Sequence, residues 1–350
     1  MSSTPPLDGS GDAPALMIRE QGGFWVGVGR RRTDAGTVPE AAMYVQFQIP
    51  AEQRHRLPVV MVHGGGGQGT DYLSTPDGRP GWATRFLQAG FAVYVVDRPG
   101  HGRSPYHPGV LGPIAGPPPS YEFLMWLFCD GARQPGSQWP GTGEIGDPAL
   151  DQLLASQGPP LPTFAENEAQ MRRCGAELLD RIGPAVLITH SMGAPFGWHV
   201  ADARPGMVEA IIAVEPIGPP FTELPGFGRL DWGLTAAPIS YEPPVEDPRV
   251  LHPTEAQGPQ DGLVQAEPAR SLPNLKGFPI AVVAADTSPF AAFQHGLTDY
   301  LVRAGADAEL LRLPEMGITG NGQLPMGEKN SDEVAEVLMS WLGKRLAAQP

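Results

Sequence analysis

The chain has 350 residues, enough to bury a sizeable core, and 24 basic against 38 acidic side chains give it a formal charge of −14. A surface of that sign repels phosphate backbones and anionic membranes, so nucleic acid and membrane are not expected partners. No apolar run approaches the roughly 20 residues needed to span a bilayer. Residues 1–14 lack the basic start and apolar stretch of a secretory signal. The two cysteines, Cys129 and Cys174, are too few for a disulfide framework and lack zinc-site spacing. A soluble cytoplasmic protein with reduced thiols is expected.

Proline and glycine, 41 and 45 residues, concentrate in 105–162 and 216–273, and compact apolar runs lie between these stretches. Residues 24–28 and 43–49 alternate apolar and polar side chains, as an antiparallel pair with one solvated face does. The run Pro58-Val59-Val60-Met61-Val62 is continuous and β-branched, and it ends in His63-Gly64-Gly65-Gly66-Gly67. A helix follows over about 81–88, with Gly90 as its terminator, and then a strand over 91–97. Met171, Leu178, Leu179 and Ile182 recur at helical spacing within 166–182, and that helix feeds the strand 185–188. Beyond it the pattern predicts a short helix ending near Pro205, strands 210–214 and 279–285, a helix around 290–304, a strand 309–313 and a last helix 332–346.

Strands alternating with helices define an α/β chain with a mostly parallel, doubly wound sheet and helices on both faces. One domain, 1–350, carries two insertions, 105–164 and 216–275. The first is too long for a simple connection and is expected to form a Pro-rich lid over the strand ends. Ligand sites in such sheets lie beyond the carboxyl ends of the strands. His63 to Gly67, Asp97, Ser191, Glu215 and Asp286 each directly follow an apolar run there.

Thr189-His190-Ser191-Met192-Gly193 has the form of a nucleophile elbow, a strand turning sharply through serine into a helix, with Thr189 in place of the usual first glycine. A serine hydroxyl there can attack a carbonyl once a base removes its proton. The glycines after His63 let backbone N–H groups approach a developing oxyanion, which assigns one donor to Gly65 or Gly66 and another to Met192. No Gly-Lys-Ser/Thr ending accompanies them, so a phosphate cradle is disfavoured. His63 is expected to orient the loop and to border the substrate. Glu215 and Asp286 compete as the triad acid, and spacing alone leaves both open.

Tyr44-Val45-Gln46-Phe47-Gln48-Ile49-Pro50, Val62-His63-Gly64, residues 75–82, Asp97-Arg98-Pro99-Gly100-His101-Gly102-Arg103-Ser104, His190-Ser191-Met192-Gly193 and Gly320-Asn321-Gly322 through Glu328-Lys329-Asn330 resemble a family of bacterial α/β-hydrolase esterases. The resemblance runs from about residue 23 to 342 and implies the α/β-hydrolase fold and carboxylic-ester hydrolysis. It implies a glutamate acid after the strand following the elbow, hence Glu215, and a histidine base in Gly-Asn-Gly-His, where this chain has Gln323. In that family the positions of Gly65 and Gly66 can be a pair of cysteines, so its oxyanion loop is not carried over. An amide has no basic nitrogen, and a triad without its base keeps about 10³ to 10⁴ over the uncatalysed rate at most. This chain is therefore expected to be nearly inactive.

Three readings of Gln323 stand side by side: a deliberate exchange of His for Gln that holds substrate uncleaved, a protein that binds its ligand without hydrolysing it, and rescue by His295 or His252. Tyr121, Phe123, Leu124, Met125, Trp126, Leu127, Phe128 and Trp139 of the first insertion, with Phe221, Phe227, Trp232 and Tyr241 of the second, suit an uncharged apolar or aromatic ester or lactone. Tyr121, Met125 and Trp126 are the substrate contacts expected from the lid. Neither metal nor organic cofactor is implied. Carbon–carbon bond hydrolysis uses the same machinery and is the alternative reaction.

Overall fold

The apolar runs settle side by side. The computed structural model describes residues 15–40, 42–129, 134–159, 161, 163–224, 228–251, 253–255 and 263–347. Strands β1 (Ile18–Val26), β2 (Met43–Pro50), β3 (Val59–Val62), β4 (Val93–Asp97), β5 (Ala185–His190), β6 (Val208–Val214), β7 (Pro279–Ala284) and β8 (Asp307–Arg312) form one sheet in the order β1-β2-β4-β3-β5-β6-β7-β8. β1 and β2 pair antiparallel, as does β2 with β4, and the rest of the sheet is parallel. Val59 lies opposite both Val93 and Val186, which brings the ends of β3 and β5 level at the sheet's centre.

Six longer helices accompany the sheet: α1 (Trp82–Gln88), α2 (Pro148–Ala155), α3 (Phe164–Ile182), α4 (Ala194–Ala203), α5 (Gln294–Arg303) and α6 (Ser331–Ala347). Every residue of β3 and β5 is buried, because both sheet faces are covered. Val60, Val62 and Leu187 pack with Leu178 and Leu179 of α3, Phe196 of α4 and Leu297 of α5. Val59, Met61, Val186 and Ile188 face the other way, onto Phe86 of α1, Leu150 of α2 and Leu338 of α6. Each of these large side chains contributes about 1.5–3 kcal/mol by leaving water. The continuous hydrophobicity of the runs is therefore required by position.

Element ends differ from expectation where pattern is weak. β1 begins at Ile18, well before residue 24, because residues 19–23 are exposed and pair through their backbone. α3 begins at Phe164, where the Thr163 hydroxyl accepts from the Glu166 N–H at 3.3 Å. α5 begins four residues later than expected, after a short 3-10 turn, Ala291–Phe293.

The aromatic residues of the second insertion correct another expectation. Phe221, Trp232 and Tyr241 do not face a ligand space but are buried in the core, Phe221 edge-on to Tyr300 and the Tyr241 hydroxyl 2.6 Å from that of Tyr300. Phe227 lies outside the described residues. The first insertion combines two short helices (Pro108–Leu111 and Tyr121–Leu124), a π turn (Met125–Cys129) and α2.

Buried Asp147 holds the first insertion together. It accepts from Trp139 Nε1 at 2.8 Å, Gly143 N at 2.7 Å and Ala149 N at 2.9 Å, the last as the N-cap of α2. Asp147→Ala would leave those donors without an acceptor. A loss of about 2–4 kcal/mol is expected, read by urea unfolding, with earlier proteolytic cutting inside 105–164.

Candidate active site

Ser191 stands at the tip of β5 with φ of 49°, in the left-handed region that a non-glycine residue occupies at a cost of about 1–3 kcal/mol. The tight turn is possible because Gly193 lies against the carbonyl oxygen of His63, where a Cβ would collide. Gly64 fits equally closely from the other side, since a Cβ there would sit 2.7 Å from His190 Nδ1 and 2.9 Å from Ser191 Cβ. Thr189 is accommodated in place of the usual glycine because its methyl lies over Gly197 of α4. The hydroxyl of Ser191 opens into a cavity of about 510 Å³.

Gly64 to Gly67, His190, Met192 and Gln323 share that cavity wall with Ser191. Among the described residues, the N–H groups of Gly65, Gly66 and Met192 donate to no protein acceptor. Asp71, Arg98, His101 and Asn167 also line it, and the remaining wall is mostly apolar and comes from both insertions and α5's approach, including Trp126, Leu127, Phe128, Ile217 and Phe293. Phe123 and Trp126 are about half exposed at its rim, and Trp126 meets Phe290 edge-on at 6.4 Å.

Several expected substrate contacts are corrected. Tyr121 and Met125 lie off the cavity wall, because the helical turn carries them toward α2 and the core, where the Tyr121 hydroxyl donates to Asp151 at 2.7 Å. His63 is buried behind the glycine loop with both ring nitrogens engaged: Nδ1 donates to the Gly64 carbonyl and Nε2 accepts from Arg98 N, each at 2.9 Å. Burial, then the neighbouring Arg98 charge, holds its pKa well below the ordinary value. Asp97 is spent on Gly69 N and on Arg103.

The competing acids separate by surroundings. Glu215, at the end of β6 with φ of 46°, is fully buried and accepts from Ala285 N at 2.6 Å and the Ser288 hydroxyl at 2.5 Å. Asp286 is exposed and accepts from the backbone N–H groups of Gly320 and Asn321 at 3.0 and 3.1 Å. Asp286 thus braces the turn that carries residue 323. Thr287 adds N–H and hydroxyl donors to the Asn321 carbonyl, at 3.0 and 2.8 Å. A buried carboxyl that the sequence reading left unassigned, Glu328, accepts from Gly322 N at 2.7 Å and Asn321 Nδ2 at 2.6 Å. Its only signal was its place in the Glu-Lys-Asn motif.

Gln323 is fully buried, and both polar atoms of its amide lack a hydrogen-bond partner among the described residues. Its carbonyl accepts from His190 Nε2 at 2.7 Å, which leaves a lone pair on His190 Nδ1, also without a partner. Burial holds His190 down to about 4, so the ring is neutral. Of the histidines named for rescue, His295 is exposed and off the cavity wall, and His252 lies outside the described residues.

The parallel sheet and strained serine turn define an α/β-hydrolase. Residues 59–337 match the model of the alpha/beta hydrolase family, and the chain belongs to that family. It is 38% identical over 320 residues to "Probable secreted lipase phiG" of Fungal sp. (strain ATCC 74256), covering 89% of this chain and 88% of that protein. Its fold is similar to that in "The Atomic Resolution Structure of a Novel Bacterial Esterase", with a TM-score of 0.68 at 24% identity over 95% of this chain and 98% of the other. No helix among the described residues is long and apolar enough to cross a membrane.

Burial pushes the Glu215 carboxyl from its ordinary 4.5 up to about 8. Between these pH values the folded chain holds a proton that the unfolded chain releases, so folding loses about 1.4 kcal/mol per pH unit as pH rises through the window. Glu215→Gln removes that loss. Its stability relative to the parent is expected to climb from pH 5 to 8 and level off above, read by urea unfolding across the range.

Proposed function

We propose that this chain carries the machinery of a serine carboxylic-ester hydrolase with the base position filled by Gln323. The observation that supports it most is the convergence on one cavity of a strained serine, three uncommitted backbone N–H groups and the side chain of residue 323. With histidine at 323, Ser191 would attack the acyl carbon while Gly65 or Gly66 and Met192 bind the oxyanion. Glu215 would hold the imidazole, and water would release the acyl-enzyme. The relatives named for lipase and esterase activity agree with this reading. The mostly apolar wall suits an uncharged, bulky ester or lactone.

Glu215 fits the acid's role in this reading. Its high pKa reflects burial without a facing cation, and an imidazolium at 323 would supply one. A second reading, a ligand-binding protein that does not hydrolyse, is favoured by the amide of Gln323, which lines the cavity and has no hydrogen-bond partner among the described residues. A cytoplasmic location stays part of the proposal on the two free buried cysteines, and the name of the fungal relative, which says secreted, weighs against it.

Gln323→His assayed with 4-nitrophenyl esters tests the esterase reading. A rise in kcat/KM of about 10³-fold or more is expected, abolished by Ser191→Ala. In the Gln323→His background, Glu215→Ala should remove most of the gain, whereas Asp286→Asn should remove far less. A folded Gln323→His protein without hydrolysis would leave the ligand-binding reading.

A further inference from the structure

The residue that shapes the glycine loop is Arg98, which the sequence places inside a motif but gives no role. Its side chain is 2% exposed. Nη2 donates to the Gly64 carbonyl at 3.0 Å and also to the Gly65 carbonyl, while Nη1 donates to Asn167 Oδ1 at 3.3 Å. Among the described residues its hydrogen-bond partners are all neutral, His101 at 3.5 Å included. The carboxyl of Asp71 on the same cavity wall faces it electrostatically, but burial pushes that carboxyl from 3.8 up to about 7 and it makes no ion pair with Arg98, so the guanidinium is only partly balanced. A buried cation without a carboxylate in hydrogen-bond contact is costly, and its retention calls for a physical reason.

The reason lies in peptide geometry. In a trans peptide the C=O of one residue and the N–H of the next point in opposite directions. The Gly64 carbonyl shares its plane with Gly65 N–H, and the Gly65 carbonyl shares its plane with Gly66 N–H. A guanidinium that gathers both carbonyls on one side therefore turns both N–H groups to the other. The Gly64 carbonyl is also held by His63 Nδ1 at 2.9 Å and Gly67 N–H at 3.2 Å, and Arg98 is the group that ties it to the Gly65 carbonyl. From the first insertion, Gly158 N–H holds the next carbonyl, that of Gly66, at 2.7 Å.

We propose that Arg98 is the positioning residue of the oxyanion loop: its fork helps to fix the peptide planes that present Gly65 and Gly66 N–H to the cavity, and its charge, only partly balanced by Asp71, polarises those peptides toward an anionic oxygen. The inference rests on the serine-hydrolase reading of the same cavity. Arg98 touches no reacting atom in this scheme and acts through the two peptides. Preorganised donors of this kind cost no reorganisation when charge develops, so the effect falls on the transition state.

The test compares Arg98→Met and Arg98→Lys in the Gln323→His background, with thermal unfolding to confirm that each folds. Arg98→Met should lower kcat by about 10²-fold or more and leave KM within about threefold. Arg98→Lys keeps the charge but not the fork and should recover only part of the loss. A folded Arg98→Met variant with kcat within about threefold of its parent would overturn the proposal, as would full recovery in Arg98→Lys for the fork's share. If Arg98→Met does not fold, Arg98→Lys alone decides, since activity equal to the parent overturns the fork. A second readout needs no turnover: phenylboronic acid, which places a tetrahedral anion on Ser191, is titrated while the amide resonances of Gly65 and Gly66 are followed. Those resonances should shift on binding with Arg98 present and bind more weakly in Arg98→Met. Failure of Gln323→His to hydrolyse esters would sink the esterase reading and leave this titration to judge Arg98, whereas unchanged boronate affinity in Arg98→Met would sink the loop assignment alone.

Discussion

The left-handed turn at Ser191 is the constraint on which the rest of the site depends. A serine at φ of 49° relaxes unless its neighbours forbid it, and here the neighbours are backbone atoms. Gly193 presses on the His63 carbonyl, and Gly64 presses on His190 and Ser191, so the chain just beyond β3 and β5 meets at both glycines. The parallel register that sets Val62 beside Thr189 brings these ends level. Any shift of one strand against the other would separate the serine from the glycine loop. The sheet's fully buried interior prevents that shift.

Around that fixed point, polar groups brace one another through loops. The segment 285–288 gives two donors to Glu215 and, through Thr287 and Asp286, holds Gly320 and Asn321. Asn321 in turn bonds Glu328 and, reciprocally, Asn330. Residue 323 therefore hangs from a frame built to place one side chain, and the frame is complete without reference to what that side chain is. This explains how glutamine can occupy the position without disturbing the fold. Among the described residues the amide has no hydrogen-bond partner, and the side chain lines the cavity.

Much of the fold was legible because the central strands are buried on both faces and must be apolar throughout. The strand ends at Gly64, Ser191, Glu215 and Asp286 followed directly from those runs, and the structure places them at one edge of the sheet. Spacing does not distinguish Glu215 from Asp286, since both end strands; the structure shows that the first is buried and the second exposed. The roles of Tyr121, Met125, Phe221, Trp232 and Tyr241 were misread for one reason. An aromatic residue in an insertion carries the same sequence signal whether it lines a cavity or packs a core, and only the three-dimensional path of the loop decides. The places of Arg98 and Glu328 are not legible in the sequence because backbone groups of the glycine loop and of Gly322 are among their partners, and these leave no trace in residue identity.

The electrostatic state of the site follows from the same arrangement. Burial keeps His63, His101 and His190 neutral, drives Glu215 and Glu328 toward their protonated forms and raises Asp71 to about 7, so Arg98 supplies a positive charge beside the glycine loop that nearby histidines do not share and that Asp71 only partly balances. Such a site favours an oxygen that gains negative charge over one that stays neutral. Yet electrostatic preference alone cannot take the proton from Ser191. A neutral His190 presents a free lone pair beside Gly64, but with a pKa near 4 it is a weak base, and its other nitrogen is tied to the Gln323 carbonyl. On the proposed ester-hydrolase reading, the chain would separate two functions usually met together, keeping the donors that stabilise charge without the group that creates the nucleophile.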